Sequence, residues 1–457
     1  MSPGHVSDNL SLEADLYATR PSLRTNALAR LASNAALALT GVVSVTITAR
    51  WLGPAGKGTL STMLYIVAVS SLVASLGIGD AAIVIAAGSK KKLQELISAS
   101  LPPILVACLP AIGILLIASW MANWSQIRAS VAVACFLIPL RMFSLTLINF
   151  LNATERLIRS SVISIIQGVV EVLAIVSFVV MAGWGITGAV VGAAVGAATS
   201  IGLSALALAR DGVILMPSWR WSRALPVLKL GASLVSAHVV IALAQRFDLV
   251  LVYTLKGAAP AGMYAVALTL AQLAAYASSS LAIAAFPRLA RLEVDDGWPL
   301  IPRLARMGST TAMLSGLLLI PASLFLIPVL FGNDFREATV PALVLIAGAV
   351  LWSQLAILTR SAAALGHPFV QLTAFGVYVG TMIPIDLLLI PAMGILGAAI
   401  ASVIAPAVSL LYFVWWYRNK PNAAPIMDFA PRRGDLRELL HFLRYVPGRA
   451  LAALRQA

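Results

Sequence analysis

The chain has 457 residues, 60% hydrophobic and 11% charged, whereas soluble domains average roughly 45–50% apolar and about 25% charged residues. So little charge cannot cover a water-facing surface, and a mean hydropathy of +0.93 excludes a soluble enzyme, a disordered chain and a disulfide-built secreted fold. The charge that exists is lopsided, with 32 Lys and Arg against 18 Asp and Glu, a formal +14. In a soluble protein that excess would point to nucleic acid; in a membrane protein its placement along the chain decides its meaning.

In chain order, residues 1–28 are polar and carry Arg20 and Arg24 without the short apolar core of a signal peptide, so they read as a cytoplasmic N-terminus. Stretches of about 20 apolar residues, enough to cross a bilayer, follow at 29–50, 59–86, 96–119, 129–150, 161–182 and 188–209. These six spans form one unit, 29–209, which a basic linker at 210–229 separates from a second unit at 230–417. The second unit holds spans at 230–255, 262–286, 307–331, 338–359, 369–391 and 395–417. A basic tail closes the chain at 418–457, where Leu436, Leu439, Leu440 and Leu443 beside Arg437 and Arg444 form an amphipathic surface helix. The expected fold class is an all-α integral membrane protein of twelve transmembrane helices.

Orientation follows from the Lys and Arg content of short loops. With the N-terminus inside, 25 of the 32 basic residues fall on the cytoplasmic side. Arg50, Lys57, Arg128, Lys256 and Arg336 fall outside, and Arg141 and Arg246 stay within spans. Both termini are therefore expected in the cytoplasm, and the excess of positive charge reads as topology with no nucleic-acid partner.

The halves repeat one another. Gly53 and Gly58 after the first span match Gly257 and Gly262 after the seventh, and Gly185 and Gly188 opening the sixth match Gly394 and Gly397 opening the twelfth. The repeats sit at the same stage of a six-span unit, which describes a parallel duplication about an axis along the membrane normal. The ladder Gly188, Gly192, Gly196 reads as close helix packing.

Several motifs at these places carry a family resemblance. They are Arg50-Trp-Leu-Gly-Pro-Ala-Gly-Lys-Gly58, Arg246-Phe-Asp248, Gly257 to Ala265 with Tyr264, and Phe286-Pro287-Arg288, followed by Leu330-Phe331-Gly332-Asn-Asp-Phe335 and Gly394-Ile-Leu-Gly397. Together they resemble the O-antigen type polysaccharide flippases of the multidrug/oligosaccharidyl-lipid/polysaccharide exporter superfamily, over roughly 29–417. Lys57 departs from the pattern, since the family more often has an aromatic residue there. The resemblance implies two pseudo-symmetric six-helix lobes around a central cavity. It also implies a lipid-diphosphate-linked oligosaccharide carried between leaflets of the inner membrane, with membrane lipids, a polysaccharide polymerase and glycosyltransferases as partners.

Ionisable groups inside spans are costly and mark functional sites by default. Arg141 and Glu171 lie nearly equidistant from the turn between spans four and five, so they meet at one depth. A structural salt bridge is the favoured reading, a gate or ion-coupling site the alternative. Arg246 lies near mid-membrane, and Asp248, two residues on, points elsewhere on the helix; the guanidinium thus suits bidentate grip of a diphosphate, with pairing to Asp248 through a distorted helix or snorkelling to the outer interface as the alternatives. Gln272 lies at a similar depth and reads as a helix–helix hydrogen bond or a cavity lining, while Arg30 and Asn34 stand where a headgroup would enter, with an ordinary cytoplasmic anchor as the equal reading of Arg30. The candidate cavity set is Arg246, Arg141, Gln272, Arg30 and Asn34; the candidate coupling or gating set is Glu171, Asp248 and Asp386. Asp80 lies near a cytoplasmic end, His238 reads as a packed histidine, and Trp120, Trp124, Trp352, Trp415 and Trp416 as interfacial belts.

Two cysteines and four scattered histidines supply neither a disulfide framework nor a metal cluster, and no cofactor is expected. Asp295-Asp296 is the only acidic pair and sits on a short loop, which argues against a membrane glycosyltransferase or polymerase. The functional expectation is a flippase working by alternating access, with a cation-coupled multidrug exporter as the alternative.

Overall fold

The computed structural model describes residues 23–86, 90–154, 157–213, 221–289, 298, 300–420, 425 and 434, with side chains placed at 36–86, 92–98, 102–154, 157–213, 225–275, 298 and 301–420. Among the described residues every regular element is helical. The surface-helix expectation at 436–444, the pair Asp295-Asp296 and the side chains of Arg30 and Asn34 lie outside them.

The first element, α1 (Leu23–Ala74), has 52 residues, about 78 Å of helix at 1.5 Å per residue and far longer than one membrane crossing. It is two crossings. Gly53 adopts φ 64°, ψ −179°, a backbone open to glycine, and Pro54 starts the second helix. Lys57 Nζ donates to Thr48 Oγ1 at 2.9 Å, so the chain has folded back on itself within nine residues. A break follows at Leu76 and Gly77, both at positive φ, before α2 (Ile78–Ala86) completes the second crossing.

The remaining crossings are one helix each. They are α3 (Lys90–Met121), α4 (Arg128–Ala153), α5 (Leu157–Ile175), α6 (Gly185–Arg210), α7 (Trp221–Lys256), α8 (Ala258–Leu289), α9 (Leu300–Leu326), α10 (Thr339–Ala364), α11 (Phe369–Met393) and α12 (Ile395–Arg418). Two of them end in π-helical turns, Val176–Met181 after α5 and Ile327–Phe331 after α9. Eleven described helices are long and apolar enough to cross a membrane, and the first of these, Ala36–Ala74, holds two passes. The expected twelve crossings are therefore present.

The internal repeat is visible in the backbone. Gly53 and Gly257 both take positive φ, 64° and 92°, and Gly185 and Gly394 take 56° and 62°. Each half packs its own core. One apolar cluster runs from Leu60 to Val227, and another is built from Leu249 to Ala399 with Ala49 added. Leu109, Phe325 and Leu388 stay exposed on the outside, as in helices that meet lipid.

The tryptophans divide. Trp120 and Trp415 are exposed as expected of a belt, but Trp124 is buried, its indole N–H donating to Tyr253 Oη at 2.7 Å. Trp352 packs on Phe375 and Tyr378, and Trp416 joins Trp298, His367 and Phe413. In the turn between α10 and α11, burial and then the Lys420 ammonium push the His367 imidazole below its ordinary pKa.

Candidate functional site

A cavity of about 720 Å³ opens beside the two passes of α1, with α4 and α5 as its far wall and residues of α7 and α8 reaching in. The ionisable groups on its wall are Lys57, Arg141, Glu171 and Arg246, alongside Tyr65, Gln167 and Thr269. Three cations less one carboxylate leave a formal +2 in one apolar chamber.

Each charge reaches the cavity for a local reason. The reversal at Gly53 turns Lys57 inward, where it is 5% exposed, and its partner among the described residues is the Thr48 hydroxyl. The Thr48 hydroxyl in turn donates a hydrogen bond to the Ser44 carbonyl at 2.7 Å. Arg141 and Glu171 do meet at one depth, Nη2 to Oε1 at 3.8 Å, with Arg141 Nε left without a partner. That separation is an ion pair too long for a hydrogen bond. Gly196 backs directly onto Glu171, whose Cβ stands 2.9 Å from where a β-carbon would be, so a larger residue there would press on the glutamate.

Arg246 lies on α7 and donates from Nη2 to Gln272 Oε1 on α8 at 2.6 Å. The expected helix–helix hydrogen bond of Gln272 is thus realised, and its partner is Arg246, for which the sequence offered a ligand, Asp248 or the outer interface. The bond is also a partition, for Arg246 lines the large cavity while Gln272 lines a second one of about 190 Å³.

The second cavity lies among the helices of the second half. Asp248 lines it, accepting from the Leu249 N–H at 2.7 Å, Ser402 Oγ at 3.0 Å and Tyr264 Oη. As expected from its two-residue offset, Asp248 makes none of these bonds with Arg246. Asp386 on α11 is fully buried, and both of its carboxylate oxygens lack a hydrogen-bond partner. An uncompensated buried carboxylate costs several kcal/mol, which a proton or a small cation would relieve.

The halves touch at both ends of the cavity. At one end Gly58 and Gly262 approach so closely that a β-carbon on either would collide with backbone, and Trp124 meets Tyr253. There too Arg50 donates to the carbonyls of Leu330, at 2.8 Å, and Val329. At the other end Gly77 packs on Gly231, and Asp80 Oδ2 lies 3.5 Å from His238 Nδ1 while Asp80 Oδ1 accepts from Asn149. His238 is therefore no packed histidine. It bridges the two halves.

The sequence missed Lys57 as a cavity residue and placed it in an outer loop. Its departure from the family pattern at that position was the available signal.

With this geometry in hand, residues 23–293 match the family model described as polysaccharide biosynthesis protein, more than half of the chain. The chain belongs to that family. No curated protein matches it by sequence. Its fold is shared with a eukaryotic MATE transporter, AtDTX14, at 16% identity and TM-score 0.63, covering 87% of this chain and 94% of that one. The lipid II flippase MurJ in an inward closed conformation matches at 13% identity and TM-score 0.59, with 88% of each chain covered. The MATE multidrug transporter DinF-BH matches at 16% identity and TM-score 0.58, covering 89% of this chain and 96% of that one. These similarities establish the fold, and the structural neighbours that share it are transporters and a flippase.

Proposed function

We propose that this protein turns a lipid-diphosphate-linked oligosaccharide from the cytoplasmic to the outer leaflet of the inner membrane by alternating access. The observation that carries the reading is the formal +2 of the large cavity, and within it the buried Lys57 ammonium, whose hydrogen-bond partner among the described residues is a hydroxyl. A diphosphate brings about two negative charges, which would balance that excess inside a low-dielectric chamber. Arg246 and Lys57 supply the grip, Arg141 and Glu171 the adjoining gate, and the glycan fills the remaining volume. A cavity of about 720 Å³ is of the size that encloses a drug-sized group.

Asp248 in the smaller cavity and the buried Asp386 on α11 are assigned to coupling, taking a proton or a small cation. Arg30 and Asn34 at the start of α1 remain assigned to headgroup entry, with both termini in the cytoplasm. Cation-coupled drug export uses the same acid pair, but a cationic drug would meet three like charges in the large cavity.

The test is complementation of a null strain that lacks surface polysaccharide. Arg246→Gln and Lys57→Gln, each present in the membrane at normal level, are expected to lower surface polysaccharide at least about tenfold, the loss of one charge-assisted contact. Full complementation by both would sink the reading. Extrusion of cationic dyes by the unmodified protein, with no polysaccharide phenotype, would replace it with the drug-export one.

A further inference from the structure

A groove of about 390 Å³ lies apart from both cavities, between the end of α3 and the start of α4. Its two walls are graded along the helix axes. At the tip stand Ser119, Trp120, Asn123 and Ser125, with Arg128 as the first residue of α4; deeper in stand Leu116 and Cys135. Arg128, Val131, Ala132 and Cys135 follow the three- and four-residue spacing that places them on one helical face. Polar and charged groups at the rim with an apolar floor below match a phospholipid, whose headgroup sits at the interface while its chains run inward.

Three further observations select the headgroup. Arg128 is the one ionisable group at the rim of the groove, no carboxylate lines it, and among the described residues Arg128 has no ion-pair partner. Trp120 is 83% exposed, an indole standing clear of its own protein at the depth where tryptophans meet lipid headgroups. Asn123 holds a left-handed turn, φ 51°, and its side-chain oxygen accepts from Ser125 Oγ at 3.3 Å, which fixes both amide and hydroxyl at the rim.

We propose that this groove seats the phosphate headgroup and upper acyl chain of an anionic phospholipid, with Arg128 as the charge that selects it. That the lipid belongs to the outer leaflet rests on the topology proposed above; the headgroup selectivity does not.

The groove contains its own reporter. Cys135 is half-buried on its floor, whereas Cys108 is buried in the helix core beside Met142. The full chain is reconstituted in nanodiscs of phosphatidylcholine alone or with phosphatidylglycerol, and modification of Cys135 by N-ethylmaleimide is followed by intact mass. Phosphatidylglycerol is expected to slow the reaction roughly threefold, the scale of one exposed charge contact, and Arg128→Gln to abolish that slowing. Arg128 is exposed at a helix start, so the variant keeps the fold. Equal rates in the two lipids, or slowing that survives Arg128→Gln, would overturn the proposal. In a separate arm, a membrane-impermeant maleimide added to intact spheroplasts is expected to label Cys135. Labelling confined to inverted vesicles would overturn the leaflet and the topology, while the dependence on Arg128 would still stand.

Discussion

At the scale of single residues, Lys57 poses a conflict between stability and use. An ammonium buried to 5% exposure with one hydroxyl for company carries a desolvation penalty of several kcal/mol that a neighbouring acid would offset. Methionine has nearly the same shape and no charge, and Thr48 keeps its bond to Ser44 without the lysine. Lys57→Met is therefore expected to raise thermal stability, by about 1 kcal/mol or more, while abolishing complementation. A thermal unfolding curve in detergent that moves downward would mean that the charge is structural. Arg141 and Glu171 behave differently, because their opposite charges compensate one another at 3.8 Å. Equal distances from a common turn made that pair readable from the chain alone. Lys57 was not readable in the same way, since its direction depends on the reversal at Gly53 and on which face of the second pass turns toward α5. Arg246 was readable in depth but not in partner, for the Gln272 carbonyl lies on another helix whose rotation no periodicity records.

The helix α7 crosses the first half of the molecule and touches it near both of its own ends. Tyr253 near its close receives Trp124, and Gly231 near its start fits against the break at Leu76 and Gly77. A β-carbon on Gly231 would collide with the Leu76 carbonyl oxygen, a backbone atom that cannot swing aside. Gly231→Ala is accordingly expected to force the two halves apart at that end. Hydrogen exchange across residues 75–82 should rise at least about tenfold and transport should fall by a similar factor, as for a shift of about 1.4 kcal/mol in a local opening. Unchanged exchange there would show that the contact is not needed to hold that end shut. The neighbouring Asp80 and His238 pair sits on the same joint. The glycine ladder of α6 was legible because it repeats every four residues, and Gly192 and Gly196 do press on α5. Gly77 and Gly231 carry no repeat, and Trp124 looked like any interfacial tryptophan until the Tyr253 hydroxyl came within reach of it.

The whole molecule is two helical halves around a charged chamber, and under the proposed function that charge would decide which half-cycle feels the membrane potential. With about two negative charges of the proposed cargo bound to a formal +2 cavity, the loaded protein would reorient with no net charge from the site. On the same proposal the empty protein would return carrying the excess, and an inside-negative potential would favour its return to the cytoplasmic side. Each charge crossing 100 mV is worth about 2.3 kcal/mol, so the cycle gains roughly 5 kcal/mol. In proteoliposomes, net movement of a polyprenyl-diphosphate oligosaccharide is expected to accelerate with a potassium–valinomycin potential, negative on the side of the termini, while exchange of loaded substrate stays insensitive. Equal sensitivity of both modes would show that the site charges do not move through the field. The number of crossings, their order and the internal repeat could all be read along the chain. In lipid every backbone group must bond within its own helix, so each crossing has to be a continuous apolar stretch and hydropathy records it directly. Which charges share a chamber could not be read that way. Lys57, Arg141, Glu171 and Arg246 come from four different passes, and their meeting depends on the tilt and rotation of packed helices, set by side-chain fit across long separations that leaves no period in the chain.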